Sequence, residues 1–300
     1  RQNNHERKAG NIGDWVKRWG AAYEAMIVLD ADSVMSADCM LTLSRRMAAS
    51  PGVGLIQTLP TIVRANTLYG RLQQFANHCF GPIYAEGLSA WHGLSSNFWG
   101  HNAIIRTRAF AESSHLPILP GKPPFGGHVL SHDFIEAALL RRAGWGVRFD
   151  TDIQATFEES PPSLIDVMIR DRRWCQGNLQ HMRLVGAPGL HGWSRFVFVQ
   201  GIMAYLVSVA WGAFLIVSLL AAATNASPDY FPNAYQLFPV FPDTSTREIT
   251  LLALGVLGLL VVPKLLILLH ATLTKRARDF GHSLRMSLSV LTEIVLTKLL

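Results

Sequence analysis

Two apolar runs fix the outline of this chain before any single residue is considered. Phe196 to Ala223 contain no charge, and Ile249 to Leu269 contain only Lys264, near one end. A helix rises about 1.5 Å per residue, so roughly 20 apolar residues cover the hydrocarbon of a bilayer. Both runs meet that length. A third starts near Met286, carries Glu293 and Lys298, and continues to Leu300. Buried helices of a large soluble protein are the competing explanation, and the lengths speak against them. Residues 225–248 hold Asp229, Asp243 and Glu248 against Arg247, whereas 271–285 hold Lys275, Arg276, Arg278 and Arg285 against Asp279. Basic loops stay on the cytoplasmic side. The sequence therefore predicts residues 225–248 outside, residues 271–285 inside, and the domain before residue 195 in the cytoplasm.

That domain has a different texture. Only 16% of the 300 residues are charged, against roughly 25% in an average soluble domain. The deficit lies in the apolar runs; up to about residue 195 the pattern is that of a soluble α/β domain. The formal net charge of +6 fits either a nucleic acid or a membrane surface. Basic residues cluster beside the apolar runs, and no nucleic-acid motif or Walker-type phosphate loop is present, which favours the membrane. Three cysteines (Cys39, Cys79, Cys175) make no disulfide framework and fit a reducing compartment. The chain opens on Arg1, without Met, in what reads as mid-domain, so a longer N-terminal part is expected to precede it.

Within the domain, Ala25–Leu29 reads as a buried strand of a parallel sheet. Ser36 is placed to cap a helix through about Ala49, Pro51-Gly52 breaks it, and Val53–Thr58 is the next strand. Leu68 to about Leu88 has helical spacing, and Gly100–Arg106 leads into a short strand. A loop rich in Pro and Gly, 117–127, precedes Ser131, a candidate cap for a helix from His132 to Ala143 stopped by Gly144. Gly146–Asp150 is a strand and Ser163–Val185 a long basic helix.

Three polar clusters punctuate these elements: Asp30-Ala31-Asp32, Ser131-His132-Asp133 and Arg170-Asp171-Arg172-Arg173-Trp174. Two carboxylates two residues apart, just past a strand's carboxyl end, lie where open α/β sheets bind ligands. Mg²⁺ favours carboxylate oxygens shared with substrate phosphates. The pattern points to metal-assisted chemistry on a phosphate-bearing substrate, beside a membrane. Each cluster also has an ordinary reading. Asp is common in turns, an acid in a first helical turn satisfies free N–H groups, and Trp and Arg favour the headgroup zone. No Cys/His spacing matches a zinc site.

Taken together and in order, the clusters resemble the signatures of the processive family-2 glycosyltransferases, relatives of cellulose and hyaluronan synthases: a DxD, a TED-type base motif, and Q-x-x-R-W before transmembrane spans. Two departures stand out. Ser131-His132-Asp133 replaces Thr-Glu-Asp, and Arg170 stands where Gln is usual. With Phe125-Gly126-Gly127-His128 and Trp174-Cys175-Gln176-Gly177-Asn178, both departures resemble the branch that makes the periplasmic glucan of Gram-negative bacteria. The resemblance covers essentially the whole chain.

It implies a GT-A-type α/β glycosyltransferase domain, here a fragment over residues 1–195 with interfacial helices, followed by a transmembrane region over 196–300. The implied activity is inverting, metal-dependent transfer of glucose from UDP-glucose to a growing β-glucan at the bacterial inner membrane. The protein would be multi-pass with a cytoplasmic catalytic domain, a Mg²⁺ or Mn²⁺ cofactor and a periplasmic glucan-processing partner. By the same resemblance Asp32 and Asp30 hold the metal, with Asp30, Lys8, Asn11 and Arg173 on the donor and its diphosphate. Asp133 is the general base, and Trp174, His101 and Asn102 contact the acceptor. Ser33 supplies a supporting hydroxyl, and His132 either orients Asp133 or packs. Arg170 and Arg172 suit phosphate or lipid headgroups. Two other readings stand beside this one: another membrane polysaccharide synthase or lipid-linked sugar transferase, and a membrane scaffold or transporter with a decayed transferase domain.

Overall fold

The computed structural model describes residues 7–113, 115–224, 230–231, 235, 237–239, 246–273, 288–292 and 295. Helix α1 (Arg7–Trp19) leads into strand β1 (Ala25–Val28), and a two-residue strand β2 (Val34–Met35) precedes α2 (Ala37–Ala49). Strands β3 (Val53–Thr58) and β4 (Thr61–Val63) are followed by α3 (Leu68–His92), β5 (Ala103–Arg106), α4 (Thr107–Ser113) and α5 (His132–Arg142). Then come β6 (Gly146–Asp150), β7 (Thr156–Glu159), α6 (Leu164–Gln180), α7 (Gly192–Thr224) and α8 (Thr246–Leu273). The chain divides into two compact units, the first ending at Tyr205 and the second starting at Leu206.

The larger sheet has the order β1-β5-β3-β6. Every residue of β3 is buried, because helices cover both faces. Leu55, Ile105 and Val28 point into one apolar cluster with Ala137 and Leu140 of α5. Their neighbours Ile56 and Ile104 point into the other, with Leu43 and Met47 of α2. Alternate side chains leave a strand on opposite faces, so a continuous apolar run is what a doubly covered strand needs. Full burial of a residue such as Leu55 or Ile56 contributes about 1.5–3 kcal/mol. Ser36 caps α2 as expected, accepting from the Cys39 N–H at 3.1 Å.

The sheet is mixed rather than parallel. β3 and β6 run parallel, but β5 lies antiparallel to both β1 and β3. The apolar run at Ala25–Leu29 reports burial on both faces, and burial carries no information about direction. A second, small sheet, β2-β7-β4, was not evident in the sequence. Its strands of two to four residues are too short to show a period.

Ser131 takes the N-cap position of α5 without accepting a cap hydrogen bond; its hydroxyl lies against α6 instead. Helix α6 stops at Gln180, short of the expected Val185, and passes into a tight turn over His181–Arg183. Gln180 and His181 are fully buried there.

Helices α7 and α8 carry the apolar runs, with windows of mean hydropathy 2.3 and 2.6. The first expected span, Phe196–Ala223, falls inside α7. Its early residues Val197, Phe198 and Ile202 are buried, and Phe198 joins Ile135, Ala138 and Leu139 of α5 in one apolar cluster. The opening turns of α7 thus belong to the first unit. Of the third apolar run only 288–292 and 295 are described, and they are helical. Asp229, Asp243 and the basic residues Lys275, Arg276, Arg278 and Arg285 lie outside the described residues.

Candidate active site

The three polar clusters meet at one cavity of about 1170 Å³ in the first unit. Beyond β1 the chain turns, with the Ser33 N–H donating to the Asp30 carbonyl at 3.1 Å. That turn delivers Asp30 and Asp32 to the cavity wall. Lys8 reaches in from α1, and its Nζ donates to Asp30 Oδ1 and, at 2.5 Å, to the Gly100 carbonyl. Gly100 has φ +97°, a left-handed conformation that glycine adopts freely. A Cβ there would stand 3.2 Å from Asp133 Oδ2. Lys8, Asp30, Gly100 and Asp133 therefore form one continuous wall.

Asp133 occupies the first turn of α5 and faces this wall. Burial pushes its carboxyl up to about 6, against the pull of His132 and of the helix N–H groups; the Glu136 carboxylate adds to the rise. A carboxyl tuned towards neutrality is suited to taking a proton. His132 lines the cavity beside it, with Nδ1 3.1 Å from Glu136 Oε1.

Helix α6 also lines the cavity, contributing Val167, Arg170, Arg173 and Trp174. The Arg170 guanidinium stacks on the Trp174 ring, 4.4 Å from its centroid, so one face of the indole is taken. Two features press α6 onto the start of α5. At Gly177 a Cβ would come within 2.8 Å of the Ser131 nitrogen. The buried Gln180 side chain donates to the carbonyls of Gly126 and His128, at 3.2 and 3.0 Å, and accepts from the Leu130 N–H at 3.0 Å. The Gly-rich loop before Asp133 is thereby fastened to the helix that carries Trp174.

Gly177→Ala is expected to destabilise the full-length protein by about 1–3 kcal/mol, the usual cost of overpacking a filled contact. Gly186→Ala, where a Cβ meets nothing within 4 Å, is the matched control. Thermal unfolding in detergent compares the two, and equal melting temperatures would remove Gly177 from this role.

Glu158 on β7 was not singled out in the sequence, yet it lines the cavity near the aspartates. Burial, then the Asp32 and Asp30 charges, push it up to about 7, with Arg170 opposing. His101 Nδ1 lies 3.3 Å from Glu158 Oε2 but out of hydrogen-bonding alignment. Burial holds that imidazole below its ordinary pKa. A crowd of carboxylates with a buried, unpartnered Ser33 hydroxyl suits a divalent cation. Among the described residues no group of three His, Cys, Asp or Glu is placed to hold a metal. Asp30 and Asp32 fit the role in which Mg²⁺ takes one or two carboxylates and draws its remaining ligands from phosphate and water.

Two expected contacts fall elsewhere. Asn102 is fully buried behind the wall. Its backbone is left-handed, with φ +49°, and its Nδ2 donates to Thr156 Oγ1 at 2.7 Å. It braces the two sheets. Asn11 is exposed on α1 and outside the cavity lining, while Lys8 of the same helix reaches in. Residues 25–269 match the model of the glycosyl transferase family group 2. The chain belongs to that family. The kinship expected from the motifs is borne out, as is the α/β transferase domain followed by apolar helices.

Similar proteins include three named glucans biosynthesis glucosyltransferase H. That of Cereibacter sphaeroides is 50% identical over 297 residues, covering 99% of this chain and 50% of the relative. That of Rhodopseudomonas palustris strain BisA53 is 53% identical over 271 residues, covering 90% and 38%. That of Vibrio cholerae is 48% identical over 302 residues, covering 100% and 42%. The chain spans half or less of the length of these curated relatives.

Proposed function

We propose that the protein containing this chain transfers glucose from UDP-glucose to a growing β-glucan, inverting the anomeric carbon, at the bacterial inner membrane. The observation that carries this reading is the convergence of Asp30, Asp32, Asp133, Arg173 and Trp174 on one cavity, in a chain whose full-length relatives are named glucosyltransferases of glucan synthesis. Asp133 takes the proton of the acceptor hydroxyl as that oxygen bonds to the anomeric carbon. The bond from that carbon to the diphosphate breaks, and UDP leaves from the opposite face. Arg173 and Lys8 meet the diphosphate. A guanidinium presents a planar fork matched to phosphate oxygens, where Lys offers a point charge. Trp174 offers its free face to the acceptor sugar. Asp32 and Asp30 would hold Mg²⁺ or Mn²⁺, which would supply positive charge where the diphosphate leaves. A periplasmic glucan-processing protein is the fitting partner on the far side.

Membranes bearing the full-length protein, incubated with labelled UDP-glucose, UDP-N-acetylglucosamine and UDP-glucuronate, test the donor. Glucan from UDP-glucose alone is expected; polymer from another donor would replace the reading with a different synthase. Trp174→Ala is expected to depress chain elongation more than hydrolysis of the donor to free glucose, since only elongation needs the acceptor platform. Arg173→Lys is expected to lower turnover as well, and full turnover in that variant would count against its place on the diphosphate.

Topology follows the charge of the connecting segments. In full-length protein lacking its native cysteines, a cysteine at position 227 is expected to react with an impermeant thiol reagent in intact spheroplasts. One at position 277 is expected to react only after lysis. The reverse pattern would turn the catalytic domain away from the cytoplasm.

A further inference from the structure

Glu136 is the feature that the reaction leaves unexplained. It sits on α5 between core residues Ile135 and Ala137, and its side chain is 1% exposed. A buried carboxylate is strongly disfavoured unless a donor meets it. His132, one turn earlier, provides the contact: its Nδ1 lies 3.1 Å from Glu136 Oε1, while Oε2 has no partner. An ionised Glu136 can only accept, and in that state the imidazole would donate to it from Nδ1. The ring itself lines the cavity beside Asp133. His132 stands at the position where the family signature has Glu, and Glu136 supplies an acid one turn further on.

The charged groups facing His132 are Glu136 and Asp133 on its own helix and Lys8 from α1. Burial works against the imidazolium, but the two carboxylates outweigh burial and Lys8, and the ring is raised above its ordinary pKa. His181, tilted against Phe134 of the same helix, is pushed down to about 4 by burial and adds no charge.

We propose that Glu136 and His132 form a positioning pair for Asp133. Glu136 fixes the orientation and charge of the His132 ring, and His132 in turn holds Asp133 as the carboxylate that proton transfer requires. The inference rests on Asp133 being the base. A carboxyl in a dry site tends to keep its proton, and an imidazolium beside it offsets that tendency. His132 acts on Asp133 more strongly than the opposing Glu136 does, so the pair as a whole favours ionisation.

His132→Gln alone would strand the Glu136 charge in the core. The discriminating variant is therefore the double one, His132→Gln with Glu136→Gln, which removes both charges and keeps a donor facing an acceptor. It is compared with wild type as full-length protein in membranes, by two readouts. One is the pH dependence of transfer from UDP-glucose. The other is infrared titration of the Asp133 carboxyl, with Asp133→Asn as the subtraction, which needs no turnover. Both midpoints are expected to move up by about one pH unit, a tenfold loss of ionised base on the acid side. An unmoved infrared midpoint in the folded double variant overturns the inference. A moved midpoint where the wild-type protein itself transfers no glucose overturns the proposed function and leaves standing only the effect of the pair on the Asp133 charge. Glu136→Gln alone is the second arm, read by ¹⁵N-histidine spectra with a His132→Gln subtraction. The His132 midpoint is expected to fall by about one unit or more, since an amide cannot hold the charge, and an unmoved midpoint also overturns the inference.

Discussion

Asp133→Asn should leave UDP-glucose binding within a few fold of wild type and cut transfer by about 10²–10⁴-fold, the usual worth of a positioned general base. The amide keeps the shape of the carboxylate against Gly100 but cannot accept a proton. The acceptor hydroxyl would then carry its proton into the transition state. pH provides an internal check with a defined sign. The Asp133 carboxyl titrates near 6, and only its ionised form is a base. Wild-type turnover is expected to fall as pH drops through that value and to level off above it. The Asn variant should lack this limb. Donor binding by equilibrium dialysis and product formation from labelled UDP-glucose give the two numbers. If binding collapses together with turnover, Asp133 holds the donor or the fold rather than the proton.

Asp32→Asn is expected to reduce transfer by about 10³-fold or more, the several kcal/mol that a cation contributes where charge builds on a leaving group. The change preserves volume and removes one charged oxygen from a turn exposed to the cavity. Little effect on folding is expected, because Asp32 takes no part in the buried clusters of the sheet. Activity measured across a Mg²⁺ and Mn²⁺ titration separates weakened cation affinity from lost chemistry. Near-normal turnover of the variant at saturating cation would remove Asp32 from the metal. Circular dichroism and thermal unfolding of the same preparation establish that the fold persists.

The long elements were legible in the sequence because each carries its own signal. β3 and β6 are short segments rich in apolar residues and bounded by Gly, Pro or Asp, and α2 begins at a Ser whose hydroxyl does cap it. The clusters at Asp30, Asp133 and Arg173 were legible because their residue types have few other uses in that order. What stayed hidden depends on contacts between distant segments. Nothing local distinguishes Gln180 from any other helix glutamine, yet its amide holds a loop some fifty residues earlier in the chain. Glu158 sits on a strand of four residues, too short for a period, and enters the cavity only because β7 pairs with β4 and β2. Asn102 is the converse case: it adjoins His101 in the sequence, but it is fully buried and tied to Thr156 of β7.

The joint between α5 and α6 bears on how a polymer would advance. Asp133 rides on α5 and Trp174 on α6, and the two helices meet at a glycine with no room for a side chain, fastened again by a three-bonded amide. Their spacing is thus set by close packing of Gly177 on Ser131 and by the buried Gln180 amide. In the proposed reaction Asp133 and Trp174 would act as a ruler of fixed length. Each time the glucan slipped forward by one sugar in that reaction, the new terminal hydroxyl would arrive at the same offset from Asp133, so register would be kept by the frame while the chain moves.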